Sequence, residues 1–221
     1  MSAVGHTPPF GFQAIEDRDG PLLTVLVVSY NTRDLTLKAL RTFHENTGYP
    51  FELIVVDNAS GDGSADAIES EFPMARVIPS DQNLGFARPN NEGAKYASGD
   101  VLLLLNPDTE VLPDAIGKTM KFRMENPEAR IRDGKTLYPD GSLNPSSCWR
   151  RQTLWSLLVQ AFGLSSLCRR CGLFNPERVL NLDAAGSREV DVVSGCMPGH
   201  RMQSLLGSRQ STERAEVWRS V

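Results

Sequence analysis

Residues 22–58 read LLTVLVVSYNTRDLTLKALRTFHENTGYPFELIVVDN, and this stretch sets the fold. At one end, residues 22–28 (LLTVLVV) are a continuous run of Leu and β-branched residues; at the other, 51–56 (FELIVV) read as a second buried strand, apolar but for Glu52. A strand with one wet face alternates polar and apolar positions, so an unbroken run predicts a strand buried on both faces. Between the runs, Leu37, Leu40 and Phe43 recur at helical spacing, with Asp34 placed to cap the helix. Strand, helix and strand in this order form the repeating unit of a parallel sheet with right-handed crossovers.

The pattern continues downstream. A turn-rich stretch at residues 58–64 precedes a helix carrying Ala65, Ile68 and Phe72, and residues 75–79 (ARVIP) predict a short third strand. A helix through Ala94 and Ala97 follows, with Gly99 as its expected C-terminal cap, and residues 101–105 (VLLLL) are the most apolar strand. Pro113 suits a first helical turn ahead of Ile116, Met120 and Met124. The expected fold is α/β, Rossmann-like, with a mostly parallel sheet and helices on both faces. Beyond Asn126 the periodicity weakens, leaving an apolar helical segment at 154–167 and one more strand at 189–194 (EVDVVS). Residues 1–20 read as a Gly/Pro-rich lead-in, and 196–221 show no sustained period.

The 221 residues carry a net charge of −4, which gives no electrostatic footprint for nucleic acid. No apolar run approaches the ~20 residues that span a bilayer. Residues 1–20 lack a basic region followed by an apolar one, so a cytoplasmic location is expected. Cys148, Cys168, Cys171 and Cys196 are then expected to be free thiols. The Cys168-x-x-Cys171 pair lacks a second half at zinc spacing and a thioredoxin-like strand before it.

Open parallel sheets bind ligands beyond the carboxyl ends of their strands, near the point where strand order reverses. The residues there are Ser29, Tyr30 and Asn31 after the first strand, and Asp57 and Asn58 after the second. Asn83, Gly85 and Arg88 follow the third, and Asn106 and Asp108 the fourth. Residues 29–34, directly after the first strand, contain no glycine, which removes the nicotinamide fingerprint, and no phosphate-binding P-loop is present. Asp62, inside Gly61-Asp62-Gly63-Ser64, reads as a turn residue; Asp100, ahead of the fourth strand, lies on the opposite edge. Asp108 and Arg88 admit plainer readings as a turn former and a solvated helix-start residue.

Taken together, VLVVSYNTRDLTLKALRTF (25–43), ELIVVDNASGDGS (52–64), NLGFARPNNEGAKYASGDVLLLLNPDTEV (83–111) and LYPDGS (137–142) resemble glycosyltransferase family 2, nearest its bacterial rhamnosyltransferase branch. The likeness runs over about residues 22–195 in order and with natural spacing. It implies a GT-A fold and an inverting transfer from a nucleoside-diphosphate sugar to a glycan or lipid-linked acceptor, as in polysaccharide and cell-wall synthesis. Tyr30, within Ser29-Tyr30-Asn31, would pack on a pyrimidine base, and Asp57 would accept from the base or ribose, favouring a UDP- or dTDP-sugar. Arg88 and the Asn83–Gly85 loop would approach the ribose or diphosphate. Asn106-Pro107-Asp108 stands at the family's D-x-D position, which makes Asp108 the expected ligand of Mg²⁺ or Mn²⁺, an ion that holds few protein carboxylates when phosphate supplies the rest.

The resemblance divides the chain into a donor half at 21–125, a partial acceptor side at 126–195 and an atypical tail at 196–221. The family's general base lies in a Glu-Asp-type motif that the tail does not contain; it holds only Glu213 and Glu216, so the catalytic base is unassigned and a C-terminal truncation or frameshift is expected. A non-catalytic nucleotide-sugar-binding remnant is the rival expectation. A second departure is residues 129–133 (ARIRD), where charge enters an expected apolar strand, so that strand should lie at an exposed edge or be locally altered. The segment 154–167 either packs on the sheet or faces a lipid-linked acceptor or the inner face of the plasma membrane.

Overall fold

A computed structural model describes residues 22–129, 131–134, 136–142, 144, 148–164, 172–175, 188–193, 199–201 and 215–217. The expected lead-in at 1–20, the Cys168–Cys171 pair, Cys196 and most of the tail lie outside these. The chain forms two compact units, Met1–Gly117 and Lys118–Val221.

In the first unit the order is β1 (Leu23–Ser29), α1 (Arg33–Asn46), β2 (Phe51–Asp57), α2 (Ser64–Glu71), β3 (Arg76–Pro79), α3 (Ala87–Ala94) and β4 (Val101–Leu105). The strands lie side by side as β3-β2-β1-β4, all parallel, as the buried runs predict. Val25, Leu26 and Val27 of β1 and Val55 of β2 are fully buried, and Leu37, Leu40 and Phe43 turn one face of α1 into the core. The chain steps outward from β1 to β3, then returns to the other side of β1. Right-handed crossovers therefore put α1 and α2 on one face and α3 on the other. The order reverses between β1 and β4.

Close approach of α3 depends on Gly93. A Cβ there would lie 2.4 Å from Leu26 Cδ1 and 3.0 Å from Val56 Cγ2, both core side chains. The edge where the strands begin is tied by Glu52. It accepts from Thr24 Oγ1, Ser98 N (2.5 Å), Ser98 Oγ (2.8 Å) and Gly99 N (2.9 Å). Burial pushes this carboxyl up, but those hydrogen bonds together outweigh it and hold it below the usual carboxylate range. Asp100 sits on the same edge, accepting from Leu22 N at 3.0 Å, as expected.

Three local expectations are corrected. Gly99 does not cap α3, which ends at Ala94; instead a Cβ at Gly99 would meet Thr24 Oγ1 at 2.6 Å and Leu22 O at 2.8 Å, so the need is clearance from β1. Asp34 lies in the first turn of α1 rather than before it, and the N-cap Thr32 makes no side-chain capping bond. In α4 (Ala115–Glu125), Ile116 and Met120 are buried but Met124 is exposed. A row at i, i+4, i+8 drifts by about 80° around a helix, which carries its third member off the buried face.

The second unit contains β5 (Ile131–Asp133), β6 (Cys148–Trp149), α5 (Leu154–Ala161), β7 (Arg188–Val190), β8 (Val192–Val193), β9 (Gly199–Arg201) and β10 (Ala215–Val217). β5 pairs with β9 antiparallel and with β10 parallel, so the charged ARIRD stretch is not an edge. β10 pairs with β7 and β6 with β8, both antiparallel. The expected strand at 189–194 is broken at Asp191, whose carboxylate accepts from Arg151 N at 3.0 Å. The tail, which shows no period in sequence, supplies β9 and β10 by pairing. LYPDGS forms a tight turn, with Gly141 at φ 80° and Tyr138 N donating to Ser142 O at 2.8 Å. Among the described residues no helix is long and apolar enough to cross a membrane.

Gly93→Ala drives a methyl into Leu26 and Val56, which the buried sheet cannot move aside. A loss of about 1–3 kcal/mol is expected, read as a lower midpoint in urea unfolding.

Candidate active site

Parallel register fixes which strand ends meet. Ser29 of β1 pairs with Asp57 of β2, Asp57 pairs with Pro79 of β3, and Leu105 of β4 pairs with Val27. The segments that follow, 29–31, 57–64, 80–88 and 106–108, therefore leave the sheet at one edge. A groove of about 270 Å³, lined by His44, Thr47, Tyr49, Phe51 and Met74 among others, lies at the other edge, where β2 begins. Strand-end chemistry is not found there.

Two of these loops are joined by their polar groups. Asn31 N donates to Ser60 Oγ at 3.0 Å, and Gly61 N donates to Asn31 Oδ1 at 2.8 Å. Asn31 sits at φ 52° and Ala59 at φ 67°, left-handed conformations that a side chain with Cβ adopts at a cost. Asp62 closes the arrangement. One carboxylate oxygen accepts from Arg33 N at 3.0 Å, the first residue of α1; the other accepts from Ser64 N at 3.1 Å and from Ser64 Oγ, at the start of α2. A single carboxylate thus caps two helices, where the positive ends of their dipoles favour it. The expected turn role for Asp62 is observed. Its second role, the cap of α1, replaces the one expected of Asp34, and no local spacing signals it because the helices are distant in sequence.

A second network holds the β3–α3 loop. Asn58 Nδ2 donates to Asn83 Oδ1 at 2.9 Å and to Gly85 O at 3.0 Å, while Asn58 Oδ1 accepts from Leu84 N at 2.9 Å. Asn83 Oδ1 also accepts from Gly85 N at 2.8 Å, and Gly85 takes φ 76° to complete the turn. Asn58 is buried and its amide is fully used, so it positions the loop.

The remaining expected site residues divide by exposure. Ser29 is buried, its hydroxyl 3.2 Å from Thr32 Oγ1 and 3.1 Å from Thr36 Oγ1, so it faces the start of α1. Tyr30 is 46% exposed. Arg88 is exposed in the first turn of α3 and has no ion pair among the described residues. Asn106 is half-buried, its carbonyl accepting from Thr109 N at 3.1 Å, and Asp108 is exposed. Asp57 differs from all of these. It is only 5% exposed, Oδ2 accepts from Ser60 N at 3.1 Å, and Oδ1 is buried with no partner among the described residues.

The described residues hold no group of three His, Cys, Asp or Glu able to cage a metal. Asp108 and the neighbouring Asn106 fit instead an ion of the Mg²⁺ or Mn²⁺ kind that draws most of its oxygens from phosphate and water.

Hydrogen bonds from the Ser64 hydroxyl, and then from the Arg33 and Ser64 amides, hold the Asp62 carboxyl below its ordinary value. A depressed carboxylate contributes stability that is complete above about pH 4 and fades as pH falls through the folded-state value. Asp62→Ala is expected to lower Tm at pH 7 and to narrow the wild-type-minus-variant gap in acid. A gap that does not change with pH would refute the double cap.

Comparison with known proteins gives the family and the fold. The model described as Glycosyl transferase family 2 matches residues 24–160. An uncharacterized glycosyltransferase of Haemophilus influenzae is 31% identical over 106 residues, 48% of this chain and 36% of that protein. Among solved structures, TarS 1–349 of S. aureus in complex with UDP-GlcNAc superposes with a TM-score of 0.51 at 22% identity, covering 58% of this chain and 38% of that one. The mannosyltransferase PcManGT of Pyrobaculum calidifontis, in complex with GDP-Man and Mn²⁺, gives 0.55 at 19%, covering 87% and 48%. At these identities the structures establish the shared fold, and the chain spans under half the length of each. With a family match over most of the first unit and the α/β architecture in common, the chain belongs to glycosyl transferase family 2.

Proposed function

We propose that the chain binds a uridine or thymidine diphosphate sugar along the edge where β1–β4 end and transfers the sugar, with inversion, to a hydroxyl of a glycan or lipid-linked acceptor. Asp57 carries the reading. A buried acceptor left unpaired costs about 1–3 kcal/mol, and a donor N–H or hydroxyl from a ligand would recover that. With Oδ2 committed to Ser60, the remaining Oδ1 matches the single ring N–H of uracil or thymine. Guanine would offer a pair of N–H groups to two free oxygens. TarS is in complex with UDP-GlcNAc and PcManGT with GDP-Man, so the pyrimidine choice rests on Asp57; the sequence likeness to the rhamnosyltransferase branch supports a deoxysugar of the dTDP series.

The other residues take roles that follow from exposure. Tyr30 offers its half-open ring to the base, and Arg88 offers a cation to the diphosphate. Asn58 and Asn83 act as positioning residues by fixing the loop that leads into α3 and Arg88. Asp108, with Asn106 beside it, would hold a divalent ion, which when bound offsets the charge that grows on the diphosphate as the glycosidic bond breaks. The acceptor oxygen bonds to the anomeric carbon from the opposite face, the bond to the diphosphate breaks, and the acceptor proton passes to a base. Attachment to the inner face of the plasma membrane accords with a lipid-linked acceptor.

Asp57→Asn replaces an acceptor by an amide, whose N–H₂ would face the ring N–H of uracil. Calorimetric titration is expected to show UDP binding weakened by about tenfold or more, with preference moving toward CDP, whose ring nitrogen accepts. Unchanged UDP affinity would remove the base assignment. Asp108→Ala is expected to abolish the gain in UDP affinity that Mn²⁺ gives the wild type; an intact gain would place the metal elsewhere. Product formation from a UDP- or dTDP-sugar separates a transferase from a protein that binds its donor without turnover.

A further inference from the structure

Among the described residues of the second unit, α5 carries an apolar face that is largely exposed. Helix α5 buries only Ser156 and Val159, while Leu154 is 81% exposed and Trp155, Leu157 and Leu158 about half. Phe162, one residue beyond the helix, is 74% exposed, and Leu173 adds to the same cluster, its carbonyl accepting from Trp155 Nε1 at 2.8 Å. The start of the helix is fixed by its own side chains. Thr153 Oγ1 accepts from Ser156 N at 3.1 Å and Ser156 Oγ accepts from Thr153 N at 2.9 Å, a capping box that fixes the start locally.

Charge identifies what the face meets. The chain as a whole carries −4, yet residues 141–176 contain Arg150, Arg151, Arg169 and Arg170 and no Asp, Glu or Lys. Arg150 and Arg151, just ahead of α5, are exposed. An apolar surface bearing Trp and Phe and bordered by arginines matches a bilayer interface, where anionic headgroups lie beside the acyl boundary. Asp191, accepting from Arg151 N, is an acidic neighbour of the arginine pair. The flanking positive charge would also attract an acidic protein, a second copy included, but an anionic bilayer offers headgroup charge beside an acyl layer for Leu, Trp and Phe side chains.

We propose that α5 and the Arg150–Arg151 pair form a membrane-docking surface that inserts Leu154, Leu158 and Phe162 into the headgroup boundary of an anionic bilayer. The inference specifies the membrane association named above and does not depend on the donor assignment. Docking there would hold the second unit at the surface in which a lipid-linked acceptor resides.

The test is co-sedimentation of the full chain with vesicles of phosphatidylcholine alone and with about a third phosphatidylglycerol. Binding is expected to the second and not the first, and to fall as salt is raised. The Leu154→Asp/Leu158→Asp variant is expected to lose about tenfold or more in vesicle affinity. Arg150→Gln and Arg151→Gln are each expected to lose about fivefold. UDP affinity should be unchanged in all of them. Should the leucine variant fold poorly, the arginine variants and the salt dependence decide. No binding by the wild type to the anionic vesicles, or equal binding by folded variants, would overturn the proposal. So would a dimer that the leucine substitutions dissociate, which would assign the face to a second copy. A chain that binds UDP but not these vesicles fails here alone; one that binds vesicles but not UDP fails only the donor reading.

Discussion

The burial of β1 between β2 and β4 is the constraint on which the first unit rests. Its side chains are covered on both faces, so β1 cannot leave the centre of these four strands for an edge without exposing Val25, Leu26 or Val27. Pairing along β1 fixes the levels at which its neighbours end, and so carries Ser29, Asp57 and Pro79 to one line. Hydrophobic burial thereby brings loops from distant parts of the chain to one edge.

Polar contacts then act on what burial has brought together. The Asn31, Ser60, Gly61 and Asp62 bonds join the first two loops, and Asn58 holds the third. Because Asn58 spends its whole amide on that loop and Ser29 turns its hydroxyl toward α1, these polar residues hold the shape of the rim. Asp57 keeps one oxygen buried and unpartnered among the described residues, and Tyr30, Arg88 and Asp108 are open to solvent. The division between residues that build the edge and residues that remain available follows from counting donors and acceptors. Sequence position alone does not reveal it.

The opposite edge shows the same economy applied to stability alone. Glu52 gathers Thr24, Ser98 and Gly99, and Gly93 and Gly99 remove side chains where α3 and its following turn come close to the sheet. The second unit is built differently, from short strands whose order mixes parallel and antiparallel pairs, and it leaves the apolar residues of α5 at its surface.

Residues 22–105 by themselves determined the alternation of buried strands and amphipathic helices, the parallel sheet and the identity of the strand-end residues. These depend on periodicity and on local burial, which are written in consecutive residues. Tertiary structure alone decided that Asp62 caps α1 in place of Asp34, that Gly99 gives clearance where a helix cap was expected, and that charged β5 lies between two strands. It also decided that the aperiodic tail supplies β9 and β10. Each of these depends on a partner tens of residues away, and a contact made across such a distance leaves no repeat or spacing in the chain to be read.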